Sequence, residues 1–249
     1  MQASLFDDPI VDSRQLKSSL SQADLTVKQK LLLLALNFIP LVHIAVVVFS
    51  VFFISLSWLP RALFGAAALY LLPPAVAFVV RKLCRICEGR IAFGSKAFFA
   101  WWTLLQLQVI FCRLPALEEL LRLVPGGYSA WLRLWGARIG RLTFWSPGTL
   151  ILDRSYLQVG DDVVFGAGVR VNPHVFAKNS AGGFELLLGT VKIGDRARIG
   201  GYSLLTAGAA IASDEVTDAL LVLPPFSTFK DGKRTRAKEY SYVSLRDSR

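Results

Sequence analysis

Histidine is almost absent from this chain: its 249 residues include two, His43 and His174. Cysteine is nearly as scarce, with Cys84, Cys87 and Cys112 only. The Cys84-x-x-Cys87 pair has no second CxxC and no histidine nearby, so a zinc site lacks ligands and no metal is expected. No βαβ pattern surrounds the pair, so a thioredoxin-like role lacks a fold. The three cysteines read as thiols beside a membrane in a reducing compartment. Acidic residues are few as well. Lys and Arg number 28 against 18 Asp and Glu, a formal charge of +10. That balance suits anionic lipid headgroups or phosphorylated ligands. The basic residues flank apolar runs and form no recognition motif, so no nucleic-acid partner is expected.

Formal charge is missing altogether from residues 31–59. As a helix rising about 1.5 Å per residue, that run exceeds about 40 Å, more than the roughly 30 Å of a bilayer core. Residues 62–80 form a second run, and Arg61 alone separates the two. Apolar residues make up 53% of the chain, and mean hydropathy is +0.47. The two runs read as a transmembrane hairpin, kinked at Pro40 and at Pro73-Pro74. The first run starts too late and runs too long for a cleaved signal peptide. Lys28 and Lys30 precede the hairpin, and Arg81, Lys82, Arg85, Arg90 and Lys96 follow it. The positive-inside rule then puts both of its ends in the cytoplasm. Residues 97–112 are shorter and carry Trp101-Trp102 and two glutamines. They predict an interfacial or re-entrant helix with the tryptophans at headgroup level, with a third short span as the alternative. A connecting helix follows over 116–136, with Glu118, Glu119, Arg122 and Arg133 as its polar face.

Beyond it an aliphatic or aromatic residue recurs every six positions, at Val159, Phe165, Val171, Ile193, Ile199, Leu205 and Ile211. A period of six suits a parallel β-helix with triangular coils, in which the hexad opener points inward. Gly160-Asp161 and Gly194-Asp195 are expected to supply the turns. Weaker units at Ile139, Trp145 and Ile151 add about one coil upstream. One coil cannot bury its own apolar face, so the coils must stack. Val171 and Ile193 are 22 residues apart, three hexads plus four. Residues 177–190, with Gly182-Gly183, are therefore expected to leave the prism as an extended loop. The domain reading is a flexible arm over 1–27 and a membrane region over 28–115. The connecting helix over 116–136, the β-helix over 137–223 and a basic tail over 224–249 follow. Pro224-Pro225 marks the exit from the coils.

The break in the repeat begins just after His174, the one histidine outside the apolar runs. Imidazole suits proton abstraction at neutral pH. A hydroxyl or amine nucleophile must lose a proton as it attacks, and an oxyanion formed in such an attack needs a donor such as a backbone N–H at a coil corner. His174 is the candidate general base. Asp153 and Glu185 are both candidates to orient it, and Asn172 could position the acceptor. His43, inside the first apolar run, reads as a polar residue facing another helix.

The hexads, with LDRSYLQVGDDVVFGAGVRVNPHVF followed by GTVKIGDRARIG, resemble the hexapeptide-repeat acyltransferases over about a third of the chain. The closer similarity is to the membrane-linked C-terminal modules of nonribosomal-peptide-synthetase-like proteins such as the poly-lysine synthetases. The resemblance implies a left-handed parallel β-helix, a homotrimer, and an active-site groove between neighbouring prisms. It also implies acyl transfer, with no tightly bound cofactor and with acyl-CoA as co-substrate. Gly200, Gly201, Ser203, Thr206, Ala207 and Gly208 would then line the thioester channel. The chain departs from common relatives in having Leu223-Pro224-Pro225-Phe226 where a Gly-x-Pro-Ala-Lys type of ending is usual. That departure keeps a carrier-protein-bound thioester as an alternative donor and a carrier protein as a partner. Two classes sharing the prism are excluded. The γ-class carbonic anhydrases need three histidines for zinc, and sugar nucleotidyltransferases need a phosphate-binding glycine loop after a strand. The expectation is an acyltransferase of the cytoplasmic membrane, in contact with membrane lipids, its β-helix and both termini cytosolic. The alternative is a non-catalytic trimeric membrane scaffold.

Overall fold

A computed structural model describes residues 25–53, 57–178 and 184–236. The first apolar stretch is a broken helix, α1 (Val27–Leu36) and α2 (Ile39–Phe52). Thr26 caps α1 in a reciprocal box with Gln29. Pro40, in the first turn of α2, has no N–H to continue the ladder, and the helix breaks at Asn37–Phe38. The second stretch is α3 (Trp58–Tyr70) and α4 (Leu72–Leu83), broken at Leu71 just before Pro73-Pro74. Val27–Phe52 and Trp58–Leu83 are each 26 residues and apolar enough to cross a membrane. Arg61 lies in the first turn of α3 and not between the runs.

Strand β1 (Gly89–Ala92) leads into α5 (Lys96–Arg113), whose N-terminus Ser95 caps by accepting from Phe98 N at 3.2 Å. Phe98, Trp101, Leu104 and Phe111 are all buried, so one face of α5 packs into the fold, and with Ala116–Arg122 after it the helix makes a pair bent by 81°, as in a re-entrant segment or a broken span. Trp101, expected at headgroup level, is fully buried, and Trp102 donates to Asn37 Oδ1 at 3.0 Å. The single connecting helix expected next is two helices, α6 (Ala116–Arg122) and α7 (Gly127–Leu134), separated where Gly126 takes a φ of +74°.

The remaining strands wind into a parallel β-helix. One sheet stacks β2 (Arg138–Ile139), β5 (Leu157–Val159), β10 (Val191–Ile193), β13 (Ala210–Ile211) and β15 (Ser227–Lys230). The second holds β3 (Phe144–Trp145), β6 (Val164–Phe165) and β11 (Arg198–Ile199). The third holds β4 (Leu150–Ile151), β7 (Arg170–Asn172), β12 (Leu204–Thr206) and β14 (Val222–Leu223). The register places each hexad opener on its like. Ile139, Val159, Ile193 and Ile211 form one column; Trp145, Phe165 and Ile199 a second; Ile151, Val171, Leu205 and Leu223 a third. Trp145 stacks on Phe165 at 4.4 Å.

Four expectations change. Gly160 and Gly194 do not supply left-handed turns; Asp162 and Arg196, two residues on, take the positive φ. The glycines are there because the next coil is too close: a Cβ on Gly160 would meet Asp195 N at 2.7 Å, and one on Gly194 would meet Ser213 N at 2.4 Å. The segment after His174 is no extended loop. It is a hairpin of β8 (His174–Lys178) and β9 (Phe184–Leu188), and β1 pairs antiparallel with β9. Gly182-Gly183 lies outside the described residues. The prism does not end at Leu223, because β15 continues the first sheet and β16 (Lys233–Arg236) folds back on it. Pro224-Pro225 therefore occupies a corner. The arm over 1–24 and the tail beyond 236 lie outside the described residues.

The fourth change concerns Glu118 and Arg122, expected on a polar face. Glu118 is 2% exposed and is paired with Arg154, which is fully buried. Tyr128 donates to Glu118 Oε2 at 2.6 Å, and Arg122 reaches the same oxygen at 3.2 Å. Arg154 also donates to Gln108 Oε1 at 3.0 Å and lies over the Trp131 ring at 5.4 Å. Burial works against the Arg154 charge, but Glu118 beside it prevails and holds the guanidinium above its ordinary range. Helices α5, α6 and α7 thereby converge on one coil corner, Leu152–Tyr156. Glu118→Ala leaves Arg154 charged and unpaired, so it should cost about 3–5 kcal/mol. Glu118→Leu combined with Arg154→Met should recover most of that. Thermal unfolding of the detergent-purified protein measures both.

Candidate active site

The corners joining the third sheet to the first are stacked on one edge of the prism. They are Leu152–Tyr156, Pro173 with the hairpin and Gly189, Ala207–Ala209, and Pro224–Phe226. Asp153 and His174 meet on this edge. Asp153 takes a φ of +47°, a conformation Asp tolerates better than most side chains. Its carboxylate is buried at 2% exposure, and both oxygens are engaged. Oδ1 accepts from Trp101 Nε1 at 2.8 Å, and Oδ2 contacts His174 Nδ1. A carboxylate only accepts, so Nδ1 carries the hydrogen and Nε2 is left as the basic nitrogen. The His174 side chain is 16% exposed, enough for a reactant to touch it. Trp101 packs on the imidazole at 4.9 Å between centroids, and Phe176 flanks it at 6.3 Å.

Of the two carboxylates considered, geometry selects Asp153. Glu185 faces Ala177 across the hairpin, three residues from the partner of His174, about 10 Å along the strand. It forms an ion pair with Arg90. Asn172 ends β7 opposite Thr206, and its Oδ1 is buried without a partner among the described residues. Thr206, Ala207 and Gly208 lie on or beside the His174 edge, one coil further on. Thr206 Oγ1 donates to Leu223 O at 2.7 Å, Ala207 is fully buried, and the Phe226 ring covers Gly208. Gly200, Gly201 and Ser203 lie elsewhere, at the corner between the second and third sheets. There Gly200 N donates to Thr217 Oγ1, and Ser203 Oγ donates to Gly200 O while accepting from Leu221 N. Their polar groups are used in coil stacking. The backbone N–H groups of Gly189 and Gly208 are also used, donating to Pro173 O and Gly189 O. Neither is free as an oxyanion donor.

Trp101 escapes sequence reasoning because a tryptophan in an apolar helix looks like a membrane anchor. Arg154 and Glu118 escape it because nothing local announces that two charges 36 residues apart are buried together. His43, the other histidine, is buried between the long helices, with Nε2 2.9 Å from Ala68 O.

No family model matches the chain, and no curated relative matches it. Solved structures do. The chain is similar to hexapeptide-repeat acetyltransferases. A hexapeptide-repeat-containing acetyltransferase from Vibrio cholerae is 19% identical, matched over 50% of this chain and 90% of its own, with a TM-score of 0.35. A maltose O-acetyltransferase from Clostridium difficile is 20% identical over 52% of this chain and 86% of its own, with a TM-score of 0.38. A galactoside acetyltransferase solved with coenzyme A is 15% identical over 49% and 76%, with a TM-score of 0.32. The likeness spans about half the chain, and at these values it assigns no activity.

The Asp153 contact predicts a single imidazole tautomer, with hydrogen on Nδ1. Nitrogen-15 histidine spectra, simple with two histidines, should show it for His174 and lose it in Asp153→Asn. Two tyrosines predict the alkaline behaviour. Burial, and then the nearby Asp153 carboxylate, push Tyr156 above its usual value of 10.0; burial and Glu118 do the same to Tyr128. Above pH 10 the unfolded chain therefore releases these protons first and binds fewer than the native state, so stability falls as pH rises. Melting temperatures should decline from there, and less steeply in Tyr156→Phe.

Proposed function

We propose that the protein is a membrane-bound acyltransferase that moves an acyl group from a thioester to a hydroxyl or amine, with His174 as general base. The observation that carries the reading is the His174–Asp153 contact at a partly open edge of a β-helix. The donor is acyl-CoA, with a carrier-protein thioester as the alternative, and no tightly bound cofactor takes part. Nε2 of His174 accepts the acceptor's proton as its oxygen or nitrogen attacks the thioester carbonyl. The C–S bond then breaks, and the leaving thiolate takes the proton back from Nε2. Asp153 holds the ring and stabilises the imidazolium between these steps. Trp101 donates to Asp153 and fixes the carboxylate in turn. Asn172, whose buried Oδ1 lacks a donor, positions the acceptor by taking a hydrogen bond from its O–H or N–H.

The coils take the left-handed sense implied by the sequence resemblance, and three copies complete the sites. Of Thr206, Ala207 and Gly208 on the His174 edge, Gly208 is the partly exposed one and flanks the thioester channel. Val27–Phe52 and Trp58–Leu83 cross the cytoplasmic membrane with the β-helix on the cytosolic side, where thioesters are made. The distribution of Lys and Arg supports this orientation.

His174→Ala should lower kcat/KM by about 10²–10⁴-fold while leaving folding and oligomeric state unchanged. Thioester-dependent labelling of membrane extracts checks it, and equal labelling by the variant overturns the general-base role. Orientation is read through Cys84 and Cys87, both exposed at the end of α4. A membrane-impermeant maleimide should modify them only after cells are permeabilised.

A further inference from the structure

Helix α6 is built inside out. Its charges are turned into the fold. Glu118 is paired with Arg154, and Arg122, its side chain 8% exposed, bonds Glu118 and donates to Thr149 O at 2.7 Å. Glu119, partly exposed, pairs with Arg122 and accepts from Gly148 N at 3.0 Å. The leucines are turned out. Leu120 is 56% exposed, and Leu123 and Val124, where the helix ends, are 77% and 60% exposed. Leu120 and Leu123 are three residues apart, the spacing that shares one side of a helix. Single exposed leucines are ordinary on a protein in water. A helix that buries its charges and exposes its leucines reverses the pattern water selects, since it pays desolvation on one side and gains no apolar burial on the other. That arrangement suits hydrocarbon as the outer medium.

The direction of α6 agrees. Helix α5 runs beside the first long helix: Gln29 Nε2 donates to Gly94 O, just ahead of α5, and Trp102 and Gln106 both donate to Asn37 Oδ1, at 3.0 and 2.7 Å. The axis of α6 is turned by 81° from that of α5. With the long helices crossing a bilayer, α6 therefore lies along its plane. It also adjoins their apolar surface. Tyr70, which ends α3, donates to Leu117 O at 3.0 Å, and the next residue, Leu71, is exposed. Arg113, at the bend between α5 and α6, is exposed as well. A cation beside an apolar in-plane face is the pairing that an anionic bilayer surface favours.

We propose that α6 is a lipid-contacting surface in its own right. It lies in the plane of the bilayer at the boundary of the hydrocarbon, with Leu120, Leu123 and Val124 among acyl chains and Arg113 among phosphates. The proposal rests on the membrane reading above and adds a contact outside the two long helices. Its inward face holds Arg154, which follows Asp153 in the chain. The helix that rests on lipid is thus the one that grips the coil corner behind His174, and it ties that corner to the membrane surface.

The test uses the full chain in vesicles of phosphatidylcholine and phosphatidylglycerol, with Cys84→Ser, Cys87→Ser and Cys112→Ala as background. A nitroxide is attached at one position at a time, through Leu120→Cys, Leu123→Cys, Phe49→Cys on α2 or Lys192→Cys on β10; Phe49 and Lys192 are both exposed. Relaxation by oxygen, which concentrates in hydrocarbon, is compared with relaxation by a charged, water-soluble chromium complex, which hydrocarbon excludes. At Leu120 and Leu123 the oxygen-to-chromium ratio should exceed that at Lys192 by about tenfold and approach that at Phe49. Thermal unfolding shows whether each chain is folded; Cys112→Ser replaces Cys112→Ala, and Val124→Cys replaces either leucine variant, where one is not. A ratio at Leu120 and Leu123 as low as at Lys192, with a high ratio at Phe49, overturns the α6 contact and leaves the long helices in the membrane. Shielding of both positions from both reagents also overturns it and assigns the face to a second copy or another protein. A low ratio at Phe49 overturns the membrane reading itself.

Discussion

The pairing of Arg154 with Glu118 is the interaction on which the rest of the molecule depends. A fully buried guanidinium is tolerable only with a carboxylate against it and hydrogen bonds on its remaining edges. Gln108 accepts from Arg154, Tyr128 and Arg122 donate to Glu118, and each of the three comes from a different helix. The helical layer is thus held to one coil corner by a charge that cannot be left alone. An apolar contact of the same area would permit sliding. An ion pair with directed hydrogen bonds does not, and it fixes where Leu152–Tyr156 sits.

That corner also carries Asp153, the neighbour of Arg154 in the chain. The electrostatic anchor and the carboxylate behind His174 are consecutive residues, so error in one is transmitted to the other. Trp101 completes the linkage from the helical side, because its indole N–H engages the oxygen of Asp153 that His174 does not use. The site is therefore built by both halves of the molecule. The β-helix supplies the histidine and its carboxylate; the helical layer sets the angle of that carboxylate and walls the imidazole with an aromatic ring.

How much of this could be read in the chain follows from the range of each signal. The hexads repeat locally, so the prism, its inward columns and the position of the break after His174 were legible. The two apolar stretches were legible for the same reason, although Arg61 was placed between helices and belongs inside one. The hairpin after His174 was not, because β1, which pairs with it, lies 93 to 99 residues upstream (Ala92 with Glu185, Gly89 with Leu188). The choice between Asp153 and Glu185 was left open in the residues and settled by three-dimensional proximity alone. Trp101 and Glu118 were misread because composition reports what a residue prefers on average, while their partners lie across the fold. Half of the proposed channel, Gly200, Gly201 and Ser203, shares its small-residue character with every coil corner; only the stacking shows that it belongs to another edge.

The pairing of β1 with β9 has a consequence for how the protein comes into being. Glu88, just ahead of β1, binds the backbone and hydroxyl of Thr190, 102 residues later. Chains emerge from the ribosome N-terminus first, and early segments commit before late ones exist. The two long apolar helices precede the coils in the chain, so they are synthesised before them. β1 and Trp101 then wait, unpaired, until the chain has been extended past Thr190. The histidine edge can close only on a chain whose apolar helices are already made. Assembly order itself thus makes the histidine edge one of the last parts of the fold to be completed.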